Sequence, residues 1–342
     1  MSSTQTMLSP PVPPTLADVA KLAGVSCATA SRVLTGSARV RPETRRQVEV
    51  AMADLGYVRH RAPRAPRARA GSIAFVVCED NMRVFADPFF ARMLWSISRE
   101  RVSGDIQLVM LTIRSSHDYR TVARYLGAGH VDGALFVSVH GRLPLELDHL
   151  GLPIVLVGRP MDPRASMSYV DADNVGGAER AVRYLVEQGR TCIATVAGPA
   201  DMNAGVDRLV GYRKALAAAG QSDTGMIAYG DFGRVSGEHA TYRILDSRPG
   251  VDAVFAASDL MAAGVLRALR RRGRRVPEDV AVIGFDDSPL AQQTSPQLTT
   301  VRQPMDAMGA RMVAELLGLI ADPEKPPSGV VLDTKLVLRG SA

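Results

Sequence analysis

The stretch TLADVAKLAGVSCATASRVLTG, residues 15–36, decides how the rest of the chain is read. Thr15 has the side chain of a helix N-cap and opens an apolar-periodic run that extends through Lys21 to Ala23. Gly24 follows at the position where a helix closes through a left-handed residue. Val25 supplies an apolar plug for the turn, and Ser26 can cap a second helix over Cys27–Leu34. Two short helices sharing Val19, Ala20, Ala23, Val25, Ala30 and Val33 as their core cross steeply, which predicts a helix-turn-helix. The second helix of such a unit enters the major groove of DNA and reads base edges with its N-terminal side chains. Here those are Cys27, Ala28 and Thr29, with Ser31 and Arg32 on the same face or at the phosphate backbone. Arg32 has the fork geometry for a bidentate contact to guanine. Thr15 and Ser26, at the two helix starts, complete the headpiece residues expected at DNA. A third helix is expected from Pro42, at the favoured first position, to Leu55, with Gly56 ending it and Tyr57 packing back.

Charge supports this reading. The chain of 342 residues carries a formal net charge of +6. Residues 1–71 hold eleven basic and four acidic side chains, a balance of +7, which leaves −1 for the remainder. A basic head on a nearly neutral body is the electrostatic footprint of a nucleic-acid binder. Residues 1–14 are polar and proline-rich and read as a disordered tail ahead of a headpiece spanning 15–58. Residues 59–71 are almost wholly Arg, Ala and Pro, a composition that builds no core and reads as a linker.

From Ser72 the pattern changes to apolar strands alternating with amphipathic helices. Strands are expected at 72–77, 106–113, 133–139, 153–158, 192–198, 253–258 and 280–285, with helices at 89–102, 118–128, 175–188, 207–219, 236–246 and 259–272. Continuous apolar strands separated by helices imply parallel sheets covered on both faces. So many units imply two Rossmann-like subdomains, with ligands at the carboxyl ends of the strands in the crevice between them. The expected fold is therefore an all-α helix-turn-helix headpiece on an α/β body over 72–342.

The motifs of head and body together resemble those of the lactose-repressor (LacI/GalR-type) family. The head matches through TLADVAKLAGVS, ATASRVLTGSARV and LGY, and DPFF (87–90) resembles that family's NPFF. VDADN (170–174) is similar to its crossover motif VDNDN. DRLVGYRKAL (207–216), GDF (230–232), ASDLMAAGVLRALRRRG (257–273), VAVIGFDD (280–287), SPQLTTVRQP (295–304) and LVLRGS (336–341) fit as well. The resemblance implies a periplasmic-binding-protein-like body and an effector-controlled repressor that acts as a homodimer on a pseudo-palindromic operator. It implies a small-molecule effector, a sugar, held between the subdomains. Three crossovers are expected near 170–173, 299–302 and 322–330. The N-subdomain then spans about 72–170 and 302–321, and the C-subdomain about 171–299 and 328–342, with the last strand (330–338) in the latter.

Carried onto this sequence, the effector site contains Phe89, Phe90, Arg208, Phe232, Ser258 and Asp286. An apolar ring such as Phe232 stacks on a sugar face or a base, and Arg208 and Asp286 supply a donor and an acceptor for hydroxyls. For Asp286 and for Asp259 the competing role is helix capping. For Arg208 it is a surface ion pair, and for the two phenylalanines it is core packing.

Three departures from the family pattern stand out. The hinge, which in relatives folds as a short helix and wedges a leucine into the minor groove, here reads RHRAPRAP (59–66), with Pro63 inside it and Pro66 in place of the leucine. Two interior prolines each cost about 3 kcal/mol in a helix, so an extended arm is expected instead, with Arg61 and Arg64 tracking phosphates or a narrow minor groove. Gly158 stands where relatives often carry an aspartate, which removes one hydroxyl acceptor. NMRVFA (81–86) looks like an insertion at the cleft mouth that reshapes effector choice, and Ala204 points the same way.

Other classes fit less well. A secreted solute receptor with this body is disfavoured by the basic head and by an N-terminus without a signal-peptide pattern, so a soluble cytoplasmic protein is expected. No stretch approaches membrane-spanning length, so no membrane partner is expected. The three cysteines show no metal or disulfide spacing. No GxGxxG follows the first strand, and P-loop, GxSxG and HExxH motifs are missing. Asp286 and Asp287, adjacent at a strand end, point apart and make a poor acid/base pair. No catalytic residue, cofactor or metal is expected.

Overall fold

The computed structural model describes residues 15–34, 40–55, 70–100, 106–141, 150–162 and 165–342. The expected tail, the hinge with Arg61 and Arg64, and Gly56 and Tyr57 lie outside the described residues. The chain divides into two units, 1–67 and 68–342.

The first unit holds three helices among its described residues: α1 (Leu16–Leu22), α2 (Cys27–Leu34) and α3 (Pro42–Asp54). Thr15 and Asp18 form a capping box, with the Thr15 N–H donating to the Asp18 carboxylate at 2.7 Å and the Asp18 N–H donating to Thr15 Oγ1 at 3.3 Å. Gly24 sits at φ +66°, and the N–H groups of Gly24 and Val25 return to the carbonyls of Lys21 and Ala20. These paired bonds are a Schellman closure, which requires the left-handed residue that glycine tolerates. Ser26 Oγ accepts the Thr29 N–H at 3.1 Å and caps α2. Val19, Ala20, Ala30 and Val33 are buried together with Val48 and Ala51 from α3, while Ala23 and Val25 pack at the edge.

The second unit runs β1 (Ser72–Val77), α4 (Asn81–Ala86), α5 (Pro88–Glu100), β2 (Gln107–Thr112), α6 (Ser116–Gly127), β3 (Gly133–Val137), β4 (Ile154–Val157) and β5 (Ser168–Ala172). It continues through α7 (Asn174–Glu187), β6 (Ile193–Ala197), α8 (Asn203–Ala218), β7 (Ile227–Tyr229), α9 (Arg234–Ser247), β8 (Ala253–Ala256), α10 (Asp259–Arg271) and β9 (Ala281–Asp286). It ends with α11 (Pro289–Gln293), β10 (Thr299–Arg302), α12 (Met305–Ala321), β11 (Gly329–Leu332) and β12 (Lys335–Val337). Among the described residues these strands form two six-stranded sheets, ordered β11-β5-β4-β3-β1-β2 and β12-β10-β9-β8-β6-β7. The orders are the same winding repeated, with switch points between β1 and β3 and between β6 and β8, where ligand crevices open.

The apolar runs become the central strands because both faces are covered. β1, β3, β6 and β8 are buried along their whole length. α12 packs its buried Met308, Met312 and Leu316 into the core of the first sheet, so the chain returns there after β10.

The chain passes between sheets after β5, after β10 and between β11 and β12. The last passage corrects the expectation for 328–342. β11 lies parallel to β5 in the first sheet, Gly329 opposite Tyr169, and only β12 joins the second sheet, antiparallel to β10. The physical cause is Asp333–Thr334, which interrupts what reads as one apolar run. Thr334 is buried, accepts from Arg180 Nη2 at 2.6 Å and donates to the Asp173 carbonyl at 3.2 Å, so the third passage is bonded to the first. β5 and β7, short and partly polar, were not among the apolar runs either.

Phe255, in the middle of β8, is fully buried. Phe255→Ala is expected to cost about 3–5 kcal/mol of stability, read as a lower urea midpoint; a loss below about 1 kcal/mol would show that this core collapses around the gap.

Candidate functional site

The two switch points face a common chamber. It holds about 630 Å³ of space, counting that open to solvent, and its walls come from both sheets. Phe89, Phe90, Arg208, Phe232, Ser258 and Asp286 all line it.

Arg208, on α8, is its most constrained group. The side chain is buried, donates from Nε to Asn174 Oδ1 at 2.9 Å and from Nη1 to the Ala257 carbonyl at 2.6 Å, and lies 3.6 Å from Asp286 Oδ1. Its guanidinium stacks 3.7 Å from the centroid of Phe285 and 5.5 Å from that of Phe232. It is no surface ion pair. Asp286 also accepts from Gln303 Nε2 at 2.6 Å. Burial pushes the Asp286 carboxyl above the ordinary range, against the pull of Arg208.

Ser258, not Asp259 or Asp286, caps α10: its Oγ accepts the Met261 N–H at 3.1 Å and donates to the Phe232 carbonyl at 2.8 Å. Asp259 accepts from the Ser288 N–H at 2.7 Å and from Thr300 Oγ1 at 2.5 Å, which ties the loop after β9 to the sheet. Burial raises its carboxyl also, with Asp286 adding to the shift. Asp287 turns away to Arg302 and Arg339, each at 2.6 Å, so the adjacent acids point apart. Phe90 is core, Phe89 is half-buried, and the rings meet edge-on at 84° with centroids 5.4 Å apart.

Four non-glycine residues among those described have positive φ: Ser138, Phe232, Asp286 and Asp287. The first three line the chamber and the fourth adjoins it. Such backbone strain persists only where the surroundings over-determine it, and it concentrates at ligand sites. Gly158 also lines the wall at φ +83°, a conformation an aspartate would adopt only under strain.

Sequence reasoning missed several lining residues, among them Arg83, Asp87, Asp171, Asn174 and Gln303. Asp171 and Asn174 lie in the quoted VDADN and Gln303 in the quoted SPQLTTVRQP, but only tertiary contacts assign them roles. Asp171 accepts from the Arg159 and Ala172 N–H groups and from Asn174 Nδ2. Its carboxyl is pushed up by burial, partly offset by these bonds.

The mouth is tied shut across the cleft. Gly141 N–H donates to the Asp201 carbonyl at 2.7 Å, and Arg159 grips Asp207 with Nη2 at 2.8 and 2.9 Å. Asn203 Nδ2 donates to the Arg159 and Pro160 carbonyls at 2.7 Å each. Arg92 Nη1 donates to the Asp287 carbonyl at 2.9 Å. His140 stands between two carboxylates, Nε2 3.1 Å from Glu79 and Nδ1 3.0 Å from Asp201. Glu79 also accepts from Ser138 at 2.7 Å and faces Arg83 at 3.5 Å.

In the headpiece, Cys27, Ala28 and Arg32 are exposed, while Thr29 and Ser31 are half-buried. Ala28 and Arg32, four apart, share one helix face. Thr29 Oγ1 lies 2.9 Å from Ser26 Oγ at the start of α2. Among the described residues no cluster of His, Cys, Asp or Glu is arranged to hold a metal ion, and no helix is long and apolar enough to cross a membrane.

Comparison with known proteins adds relatives. Residues 15–60 match the model of bacterial regulatory proteins, lacI family, and 182–342 that of a periplasmic binding protein-like domain. The HTH-type transcriptional regulator CelR of Thermobifida fusca is 46% identical over 333 residues, covering 96% of this chain and 98% of that one. The HTH-type transcriptional repressor CytR of Escherichia coli is 32% identical, covering 96% of each. The solved CelR–cellobiose complex superposes with a TM-score of 0.80 at 46% identity over 96% of this chain and all of that one. The lac repressor dimer bound to operator and the anti-inducer ONPF gives 0.69 at 26% identity, covering 96% and 99%.

The His140 bridge makes stability depend on pH. Its bond to Glu79, opposed by burial and aided by Asp201, holds the imidazole pKa above its ordinary 6.5. Protonated, the ring donates to both carboxylates; neutral, it has one N–H and turns a lone pair toward the other. The stabilisation is full below about pH 6.5 and is lost as pH rises through the raised value. The melting-temperature difference between wild type and His140→Ala is expected to be larger at about pH 6 than at about pH 9; a difference that is flat or grows with pH would contradict the bridge.

Proposed function

Because the chain belongs to the lacI family of bacterial regulatory proteins, we propose that this DNA-binding transcriptional regulator represses its genes as a homodimer and is released from DNA by a neutral disaccharide of the cellobiose type. It is not an enzyme: the relatives are regulators. One headpiece reads a half-site, which favours a two-fold pair of heads on a pseudo-palindromic operator, and the lac repressor dimer on its operator supports that assembly. Cys27, Ala28, Thr29, Ser31 and Arg32 are the proposed base and backbone contacts, flanked by Thr15 and Ser26, with Arg61 and Arg64 on the phosphates.

The observation that carries the effector reading is the composition of the chamber. It sets three carboxylates, Asp87, Asp171 and Asp286, against two guanidiniums, Arg83 and Arg208. That balance disfavours an anionic ligand such as a sugar phosphate. Hydroxyl groups, which donate and accept, suit such mixed walls, and the phenylalanine rings suit the apolar face of a pyranose. The relative at 46% identity is known as a cellobiose complex, which supports a sugar of that type. Arg208, Asp286, Phe232, Phe89, Phe90 and Ser258 are the proposed contacts.

The test is a gel shift on operator DNA with increasing cellobiose. Wild type is expected to bind in a salt-sensitive, sequence-specific manner and to be released by the sugar. Asp286→Ala is expected to need roughly 10- to 100-fold more cellobiose, as for loss of a hydrogen bond to a charged group. Binding that ignores cellobiose overturns the effector reading, and absence of sequence-specific binding overturns the operator contacts.

A further inference from the structure

The segment that opens α8 serves the chamber and its mouth at once. Met202, Ala204 and Arg208 line the chamber. Asp201, Asn203 and Asp207, interleaved with them, hold the loops of the first sheet. The Asp201 carbonyl takes the Gly141 N–H, and its carboxylate meets His140 Nδ1. Asn203 donates to the Arg159 and Pro160 carbonyls, and Asp207 accepts from the Arg159 guanidinium. The donors at Gly141, Asn203 and Arg159 are amides and a guanidinium, which keep their protons near neutral pH. The His140 tie is different, because only the imidazolium carries an N–H on both ring nitrogens. The ring follows β3 and stands between Glu79, after β1 in the same sheet, and Asp201, after β6 in the other. Ser138 donates to Glu79 from behind, and Arg83 of α4 faces it at 3.5 Å. The Arg83 charge also reaches Asp87, ahead of α5, and Asp231, beyond β7. Glu79 raises the imidazole pKa most, burial opposes it, and Asp201 adds to the rise. Parting the two halves takes Asp201 away from the ring but leaves Glu79, so only the share due to Asp201 is lost.

Resting on the cellobiose reading above, we propose that a proton on His140 is a co-ligand of the effector: closing the chamber on the sugar takes up a proton at His140, and acid in turn tightens the hold on the sugar. The two effects are one coupling free energy and are equal by linkage. His140 and Asp201 do not line the chamber, so the coupling passes through closure and not through contact with the sugar. Its sign follows from the geometry. Asp201 makes the ring's pKa higher in the shut state than in the open one. The gain in affinity is full below the open-state value and is lost as pH rises through the shut-state value, which lies above 6.5. Its size is limited by solvent, since the His140 and Asp201 side chains are 35% and 58% exposed. A pair so exposed changes an equilibrium by roughly two- to fivefold.

Isothermal titration of full-length wild type, His140→Gln and Asp201→Asn with cellobiose, at about pH 6 and about pH 9, tests this. Burial also raises the carboxyls of Asp171, Asp259 and Asp286 in and beside the chamber. The quantity that isolates His140 is therefore the ratio of variant to wild-type Kd at each pH. Both variants are expected to bind cellobiose roughly two- to fivefold more weakly than wild type at about pH 6 and to converge on it at about pH 9. Titrations in two buffers of different ionisation enthalpy are expected to show wild type taking up a larger fraction of a proton than either variant at about pH 7.5. Retained operator binding in a gel shift shows that each variant is folded. A ratio that is equal at both pH values or grows toward pH 9, or equal proton uptake in all three proteins, overturns the linkage and leaves the effector reading standing. Wild type that binds no cellobiose at either pH overturns the effector reading and this linkage with it.

Discussion

The buried guanidinium of Arg208 is the constraint around which the body is arranged. A charge removed from water costs several kcal/mol unless it is paired and its donors are satisfied. Here the Ala257 carbonyl at the end of β8, Asn174 at the first passage between sheets and Asp286 at the end of β9 all converge on it. Those three positions belong to separate segments, so one cation fixes their relative placement. Asp286 holds its place at φ +120° and Phe232 at φ +68°, conformations that need such external restraint. The chamber follows: once Arg208 and its partners are set, the remaining polar edges and the phenylalanine rings have nowhere to face but the cleft.

How much of this was readable from the chain depends on the range of the interaction. The headpiece was legible because its determinants are local. Thr15 caps, Gly24 closes, Ser26 caps again, and the apolar spacing of Val19, Ala20, Ala30 and Val33 needs only helical periodicity to become a core. The central strands were legible because burial on both faces makes them continuously apolar. β11 and β12 were not separated, because two valines and a leucine before Asp333 look like the same strand as Leu336 and Val337 after it; which sheet each joins is decided by pairing with Tyr169 and with Thr300. The site was legible where a motif supplied the residue, as for Arg208, Phe232 and Asp286. Asn174 and Gln303 escaped because their roles lie in bonds between separate elements, Asn174 to Arg208 and Gln303 to Asp286; Asp171 and Arg83 bond mainly to nearer residues, and only the folding of both sheets around the chamber brings them to its wall.

Closure follows from the same geometry. A ligand shifts a conformational equilibrium only by as much as it prefers one state. The chamber's walls come from both sheets, and the ties across its mouth pair groups of one sheet with groups of the other: Arg159 with Asp207, His140 with Asp201, Arg92 with the Asp287 carbonyl. A molecule that bonds to both walls therefore favours the shut state over the open one, and the mouth ties add to that preference without touching the ligand. The first and third passages between the sheets are themselves bonded together, through Thr334 and the Asp173 carbonyl.

The short helix α4 has a consequence for how such a protein diversifies. Val84 is its buried anchor, and the rest of the segment, including the exposed Met82 and Phe85, contributes little to the core. A substitution at Met82 or Phe85 therefore reshapes the surface beside the chamber at little cost to packing, whereas one at Asn174, Arg208 or Thr334 breaks bonds that join separate segments of the body.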